Sequence, residues 1–239
     1  IIIYFMANYR ESSLRAQERE LAYKMPCSSA RFEALSLEFS FPADVVGLRI
    51  LDVGGGASDA TASLLMLGAD ANSIDLRYEN PNRIIRDVET FLSRYPNPLL
   101  DIDVEHQTIA AFRSSVRENP SRYINGGVCS LPFNDSSIDF IFSNLALSEL
   151  IARNVEVLKR GLAECYRVLK PDSELQISPW SSMYFSTLDQ NDPDVQKVTR
   201  IFQRGQVESE TFMRGLGFNI KVESRALLIP TLLRAVKSS

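Results

Sequence analysis

Short apolar runs alternate with stretches of helical period along most of this chain, and that alternation predicts an α/β fold. Ile50-Leu51-Asp52-Val53 reads as a strand that ends in Gly54-Gly55-Gly56. Ser58 to Leu65 reads as the helix that follows, with Ser58 as its N-cap. Asn72 to Leu76 reads as the next strand. Asn80-Pro81 then opens a helix whose apolar face is Ile84, Ile85, Val88, Phe91, Leu92 and Tyr95, and Pro96 and Pro98 stop it. A further helical stretch near Thr108 to Glu118 ends at Pro120. The span from Asp75 to Leu131 is longer than a minimal strand-helix-strand step needs, so an inserted helix or long loop is expected there.

Ile138 to Phe142 reads as a buried strand. The segment Asn154 to Leu169 places Val155, Leu158, Leu162, Cys165 and Leu169 on one helical face, and Glu174 to Ser178 reads as a strand. Ser209 to Leu216 reads as a last helix, with Asn219 to Glu223 and Ala226 to Ile229 as a closing hairpin. Ahead of the first strand, residues 8–24 and Arg31 to Phe39 have the pattern of amphipathic helices, broken at Pro26 and Pro42. The expected division is therefore a helical cap over residues 1–45 and a main domain over 46–239. The cap either simply covers the sheet or serves as a lid, with Tyr9, Tyr23 or Arg31 reaching in.

Composition narrows the function classes. A chain of 239 residues supports one substantial core, and 45% hydrophobic with 23% charged residues is ordinary for a globular domain. A net charge of −4 and the absence of a long Lys/Arg run argue against a nucleic-acid partner. Ile1 to Met6 is apolar but too short for a signal peptide or a span, so no membrane role is expected. Met6 is a natural start, or these six residues pack on a partner chain, as a homodimer would allow. Cys27, Cys129 and Cys165 lack metal spacing and His106 is the single histidine, so no metal site and a reducing, cytoplasmic setting are expected.

Strand, glycine turn and helix together are how an α/β sheet opens a nucleotide site, because glycine admits positive φ and the helix start offers free N–H groups. Asp75 follows about 20 residues later at a strand end, where an acid accepts hydrogen bonds from ribose hydroxyls. An adenosine ligand follows from these two features. A dinucleotide is disfavoured because Asp59 stands at the third glycine position and would repel a pyrophosphate. An ammonium and a sulfonium are better tolerated beside that carboxylate.

The run Asp52-Val53-Gly54-Gly55-Gly56 resembles motif I of the class I S-adenosylmethionine-dependent methyltransferases. Leu131-Pro132-Phe133 and Ile138-Asp139-Phe140-Ile141 resemble the family's L-P-F segment and the strand after it. Val168-Leu169-Lys170-Pro171 resembles its V-L-K-P turn, with Asp172 and Ser173 in place of glycines, and Gly217-Phe218 resembles its final helix exit. The likeness runs from Leu48 to Ile229 and is weakest between Asp75 and Gly126. It implies a doubly wound, seven-stranded, mostly parallel Rossmann-like sheet with an antiparallel final hairpin. It also implies S-adenosyl-L-methionine held by Asp52, Gly54, Gly55, Gly56, Asp75, Leu76, Val128, Cys129 and Asn144. One departure stands out: the acid that contacts the adenine amino group in the family is Gly127 here, leaving Asn125 or the backbone at Val128 and Cys129 as substitutes.

Methyl transfer requires alignment first, and a base only if the acceptor loses a proton. Where many members of the family carry a histidine beyond the fourth strand, this chain has Ser148-Glu149, which makes Glu149 the candidate base; a capping or solvated role is the alternative. His106 falls in the inserted segment and reads as a solvent-facing residue rather than the base. Pro179 to Phe185 is rich in large apolar groups and either lines an acceptor pocket or packs under the lid. No N-P-P-Y motif follows the fourth strand, so base methylation by that arrangement is unsupported. The expected function is methylation of a small-molecule acceptor, with oxygen favoured. A non-catalytic binding module and a nicotinamide oxidoreductase are the competing readings.

Overall fold

The computed structural model describes residues 39–56, 60–86, 102–144, 146–178, 180, 193–223 and 231–239. The strands are β1 (Arg49–Val53), β2 (Asp70–Asp75), β3 (Tyr123–Asn125), β4 (Ile138–Asn144), β5 (Leu169–Ser178), β6 (Phe218–Glu223) and β7 (Leu232–Lys237). The helices are α1 (Ala60–Met66), α2 (Ile102–Glu118), α3 (Ala146–Arg153), α4 (Val155–Val168) and α5 (Pro193–Leu216). A helical segment also spans residues 81–86, and a 3-10 turn covers Leu76–Glu79.

The strands form one sheet in the order β3-β2-β1-β4-β5-β7-β6. Strands β1 to β5 run parallel, and β7 runs antiparallel between β5 and β6. This is the seven-stranded, mostly parallel sheet expected from the sequence. The chain winds outward from β1 through β2 to β3, then returns to pair β4 with the other side of β1. The carboxyl ends of β1 and β4 therefore flank the switch point, where such sheets bind ligands.

A parallel sheet is buried on both faces, and alternate residues of β1 and β4 serve two separate clusters. Leu51, Val53 and Ile141 join Leu147, Leu158, Leu162, Trp180 and Met213 in one. Ile50, Phe140 and Phe142 join Phe39, Ala60, Leu64 and Leu232 in the other. Asn154 caps α4 as its spacing suggests, its side chain accepting from the Val157 amide at 3.1 Å. Asp139 accepts from the Arg49 amide at 3.0 Å and so fastens the entry of β4 to that of β1.

Several elements differ from the pattern-based expectation. Helix α2 begins at Ile102, so His106 lies within a regular helix and not in an irregular segment. Helix α5 begins at Pro193 rather than Ser209. Gly205 lies within this helix, and a Cβ there would lie 2.7 Å from the carbonyl oxygen of Ile151, so the glycine lets two helices touch. The strand expected at Ala226 to Ile229 lies outside the described residues, and the final strand is β7. Burial decides its place: Leu233 and Ala235 are fully enclosed, while Arg234 pairs with Glu174 and Glu223. Strand β5 starts at Leu169 and carries the turn residues with it, and Asp172 takes φ +60°, the conformation that glycine supplies at this turn in the resembling family. Residues 1–38, Ser58 with Asp59, and Ser181 to Phe185 also lie outside the described residues.

Candidate active site

Strand β1 delivers the glycine loop to the carboxyl edge of the sheet. Gly54 adopts φ +77° and Gly56 φ +56°, conformations that favour glycine. A Cβ on Gly54 would lie 2.1 Å from that of Ala146, so helix α3 seats directly on the loop. A Cβ on Gly55 would lie 2.1 Å from Ser73 Oγ and 2.6 Å from Asp52 Oδ2. These two glycines are required by packing inside the chain. At Gly56 a Cβ would meet the far end of a side chain, 2.7 Å from Arg77 Nη2.

Backbone and side-chain groups of the two strands that flank β1 hold the loop. The Gly54 amide donates to the Ile74 carbonyl at 2.8 Å. Ser143, near the end of β4, donates to the Val53 carbonyl at 2.9 Å and accepts from the Leu147 amide at 3.1 Å. One hydroxyl thus links β1, β4 and α3.

Asp75 ends β2 and caps the 3-10 turn after it. Its Oδ1 accepts from the Arg77 amide at 2.8 Å and from Arg77 Nε at 3.1 Å. Its Oδ2 accepts from the Gly56 amide at 3.1 Å and from Arg77 Nη2 at 3.2 Å. Tyr78 reaches back from the same turn and donates to the Gly56 carbonyl at 2.9 Å, with Ser73 Oγ at 2.8 Å from its hydroxyl. Both backbone groups of Gly56 are therefore gripped, the amide by the last residue of β2 and the carbonyl by the turn after it. The bend and the carboxylate expected to cooperate are in direct contact.

Asp52 lies beneath the loop, 3% exposed, and accepts from Thr61 Oγ1 at 3.3 Å. Burial pushes its carboxyl up to about 7, the nearby charge of Asp75 adds to this, and the hydrogen bonds from Thr61 and Ser73 oppose it. Burial also drives the Tyr78 hydroxyl far above its ordinary range, so it stays protonated and donates. Asp52 is thus positioned to shape the loop from below.

The remaining residues singled out by sequence fall into two groups. Leu76 is 73% exposed, yet a Cβ on Gly127 would lie 3.3 Å from its Cδ2, so an uncovered leucine borders the glycine that replaces the family's acid. Asn144 is exposed at the end of β4, and Asn125 at the end of β3, in register with Asp75. Val128 and Cys129 turn their side chains away from this edge. A Cβ on Gly161 of α4 would lie 2.6 Å from Val128 Cγ1, and Cys129 Sγ donates to the Val157 carbonyl at 3.5 Å. Glu149 sits on the first turn of α3 and pairs with Arg153 at 3.3 Å. Trp180, the described residue of the aromatic run after β5, is fully buried and donates Nε1–H to Glu210 at 2.9 Å, so it packs rather than lines a pocket.

Sequence reasoning missed Arg77, Tyr78, Ser73 and Ser143. Only the Asp75-x-Arg77 spacing offered a local signal, as an aspartate that turns the chain and pairs two residues on.

The residues fit the nucleoside end of the implied cofactor: a carboxylate at a strand end, a bend bonded to it, and an exposed apolar side chain beside both. A methyltransferase-domain family model matches residues 86–177. No curated protein matches the chain. Among solved structures the chain is similar to a protein from Methanococcus maripaludis assigned as an S-adenosyl-L-methionine-dependent methyltransferase, at 12% identity and TM-score 0.52, over 94% of this chain and 91% of that one. It is similar to an O-methyltransferase family protein from Burkholderia thailandensis at 15% identity and TM-score 0.50, over 93% of this chain and 63% of that one. It is also similar to phosphoethanolamine N-methyltransferase 2 of Haemonchus contortus, solved with phosphomonomethylethanolamine and S-adenosylhomocysteine. That match has 14% identity and TM-score 0.53, over 98% of this chain and 59% of that one. At these identities the structural likeness speaks to the fold, while the family model speaks to the domain. The family model thus marks residues 86–177 as similar to a methyltransferase domain, and the solved structures share the fold around it.

Proposed function

We propose that the chain transfers a methyl group to a small-molecule acceptor, with a hydroxyl oxygen as the accepting atom. The observation that carries the cofactor side is the Gly56–Asp75 hydrogen bond at the carboxyl edge, beside the exposed Leu76. Asp75 takes the ribose hydroxyls, Leu76 flanks the adenine, and the backbone at Gly54 to Gly56 and at Val128 and Cys129 borders the rest. Asp52 sets the loop from below, and Asn144 faces the methionine end from β4. The bound cofactor supplies a methyl group on a positively charged sulfur, so the protein's task is to align the acceptor and exclude water.

Glu149 is the proposed base for the hydroxyl proton, with Arg153 orienting its carboxylate. The acidic net charge and the lack of a basic run support a small acceptor over a nucleic acid. An O-methyltransferase family protein among the similar folds supports oxygen. Residues 1–45 are proposed as the cap, since Phe39 and Phe41 pack edge-on against Phe142 at 5.3 and 5.1 Å between ring centres. No helix among the described residues is long and apolar enough to cross a membrane, and the proposed setting is the cytoplasm.

The test is transfer of label from methyl-labelled S-adenosylmethionine to a panel of small hydroxyl and amine acceptors. Hydroxyl methylation that falls steeply in Glu149→Gln supports the reading. Labelling confined to amines would replace oxygen by nitrogen as the acceptor atom.

A further inference from the structure

Helix α5 has two unlike faces. Phe202, Gly205, Ser209 and Met213 recur at helical spacing and are buried, with Gly205 against the Ile151 carbonyl. Lys197, Arg200, Arg204 and Val207 recur at the same spacing on the opposite side and are exposed. Ile201 borders them at 46% exposure, and Val207 is 66% exposed. Arg200, Gln203, Arg204, Val207 and Glu208 line a shallow depression there. The acids nearby are already engaged. Lys159 pairs with both Glu208 and Glu156, while Glu210 accepts from Trp180 and pairs with Arg214. Among the described residues Lys197, Arg200 and Arg204 form no ion pair, and Arg204 acts on Glu208 only through longer-range charge.

Lys197, Arg200 and Arg204 follow one another three and four residues apart, a spacing at which like charges weaken the helix that carries them. In a chain of net charge −4, this unneutralised stripe beside two uncovered aliphatic side chains calls for a negative counterpart. Chemistry selects among anionic partners. Lipid insertion needs a broad apolar face, and the described part of this one offers two aliphatic side chains and no exposed aromatic ring. A nucleic-acid strand calls for more cations and for rings on which bases stack. We propose that the outer face of α5 docks an acidic protein segment, whose carboxylates meet Lys197, Arg200 and Arg204 and whose aliphatic side chain rests on Ile201 and Val207. The inference is separate from the methyl-transfer reading and does not depend on it.

The experiment is fluorescence anisotropy of a labelled peptide of Glu and Leu residues, about five helical turns long, titrated with the full chain. The controls are the same peptide with Lys for Glu and vesicles of phosphatidylserine. The acidic peptide should bind, and its affinity should fall as salt is raised. Arg200→Glu with Arg204→Glu should weaken it roughly tenfold, and Val207→Ser roughly threefold. Thermal melts separate docking from a structural role: Arg200→Glu alone places opposite charges four residues apart and should raise the midpoint by about 1 °C. A clear drop in that midpoint makes the stripe part of the fold and overturns the proposal. No binding of the acidic peptide at millimolar concentration overturns it, as does equal binding by the double variant. Binding confined to the vesicles assigns the face to lipid and overturns it. Sedimentation that shows a dimer of the wild type, dissociated in the double variant, assigns the face to a second copy of the chain and also overturns it.

Discussion

Two corners of this molecule are built from hydrogen bonds to backbone, and they behave differently. At the carboxyl edge, Asp75 and Tyr78 hold Gly56, and Asp75 is also bonded to an exposed arginine. At the entry to β4, Arg167 holds the Leu131-Pro132-Phe133 bend. Its guanidinium donates to the Leu131 carbonyl at 3.0 Å and the Phe133 carbonyl at 2.9 Å, and it pairs with Glu164 and Asp135. Glu164 completes the ring by accepting from the Leu131 amide at 2.9 Å. Hydrogen bonds to Glu164 and Asp135 hold the Arg167 guanidinium above its ordinary range, and the hydrogen bond from Arg167 holds the Glu164 carboxyl below its own. The second corner uses its donors on permanent partners. The first sets its carboxylate against the loop amide on one side and an exposed arginine on the other. The sequence segment with the more specific family likeness is thus scaffold, and the proposed cofactor site lies by the weaker glycine motif.

The comparison is broken most sharply by exchanging effects between the corners. Asp75→Ala should weaken S-adenosylhomocysteine binding by roughly a hundredfold, since hydrogen bonds to a charged acceptor are lost together. Arg167→Ala should cost about 2–3 kcal/mol of stability in a denaturant titration and leave affinity within about twofold of wild type. An affinity loss in Arg167→Ala as large as that in Asp75→Ala would erase the distinction.

Gly54→Ala tests whether the loop is required by packing. With a Cβ placed 2.1 Å from Ala146 and φ at +77°, the variant should lose about 2–4 kcal/mol, read from its denaturant midpoint. Gly127→Ala, where the nearest contact is Leu76 Cδ2 at 3.3 Å, should be tolerated.

Asp52 sharpens the comparison through pH. Its carboxyl is raised from 3.8 to about 7 by burial, so the folded chain keeps a proton that the unfolded chain releases between these values. The stability tied to that proton is fully present below about pH 4 and is lost as pH rises through about 7. Asp52→Asn should flatten this slope and be more stable than wild type at pH 8 by on the order of 2 kcal/mol. Thermal melts from about pH 4 to about pH 8, which span both values, check it.

The smallest effect belongs to the scaffold side. Asp172→Gly relieves a left-handed conformation at φ +60° and should raise stability by about 0.5 kcal/mol with affinity unchanged.

Much of the site was legible because it is local. A strand, a glycine bend and an acid at the next strand end are neighbours in a β-α-β unit, so Asp52, Gly54, Gly55, Gly56 and Asp75 could be named from spacing. Tyr78 could not, because its partner Gly56 lies 22 residues back and meets it only when β1 and β2 pair. The direction of the Val128 and Cys129 side chains was not legible either, because it is set by α4, a helix far downstream.

Taken alone, the amino-acid order determined the alternation of strands and helices, the identity of the bend and its acid, and the family likeness, because periodicity, turn chemistry and capping act over a few residues. Tertiary structure decided which groups abut each glycine of the bend, that Arg77 shares the acid with the loop, and that Leu232–Lys237 inserts between β5 and β6. Those outcomes depend on burial and on which distant groups satisfy each donor and acceptor, and both are defined only once the sheet has closed around them.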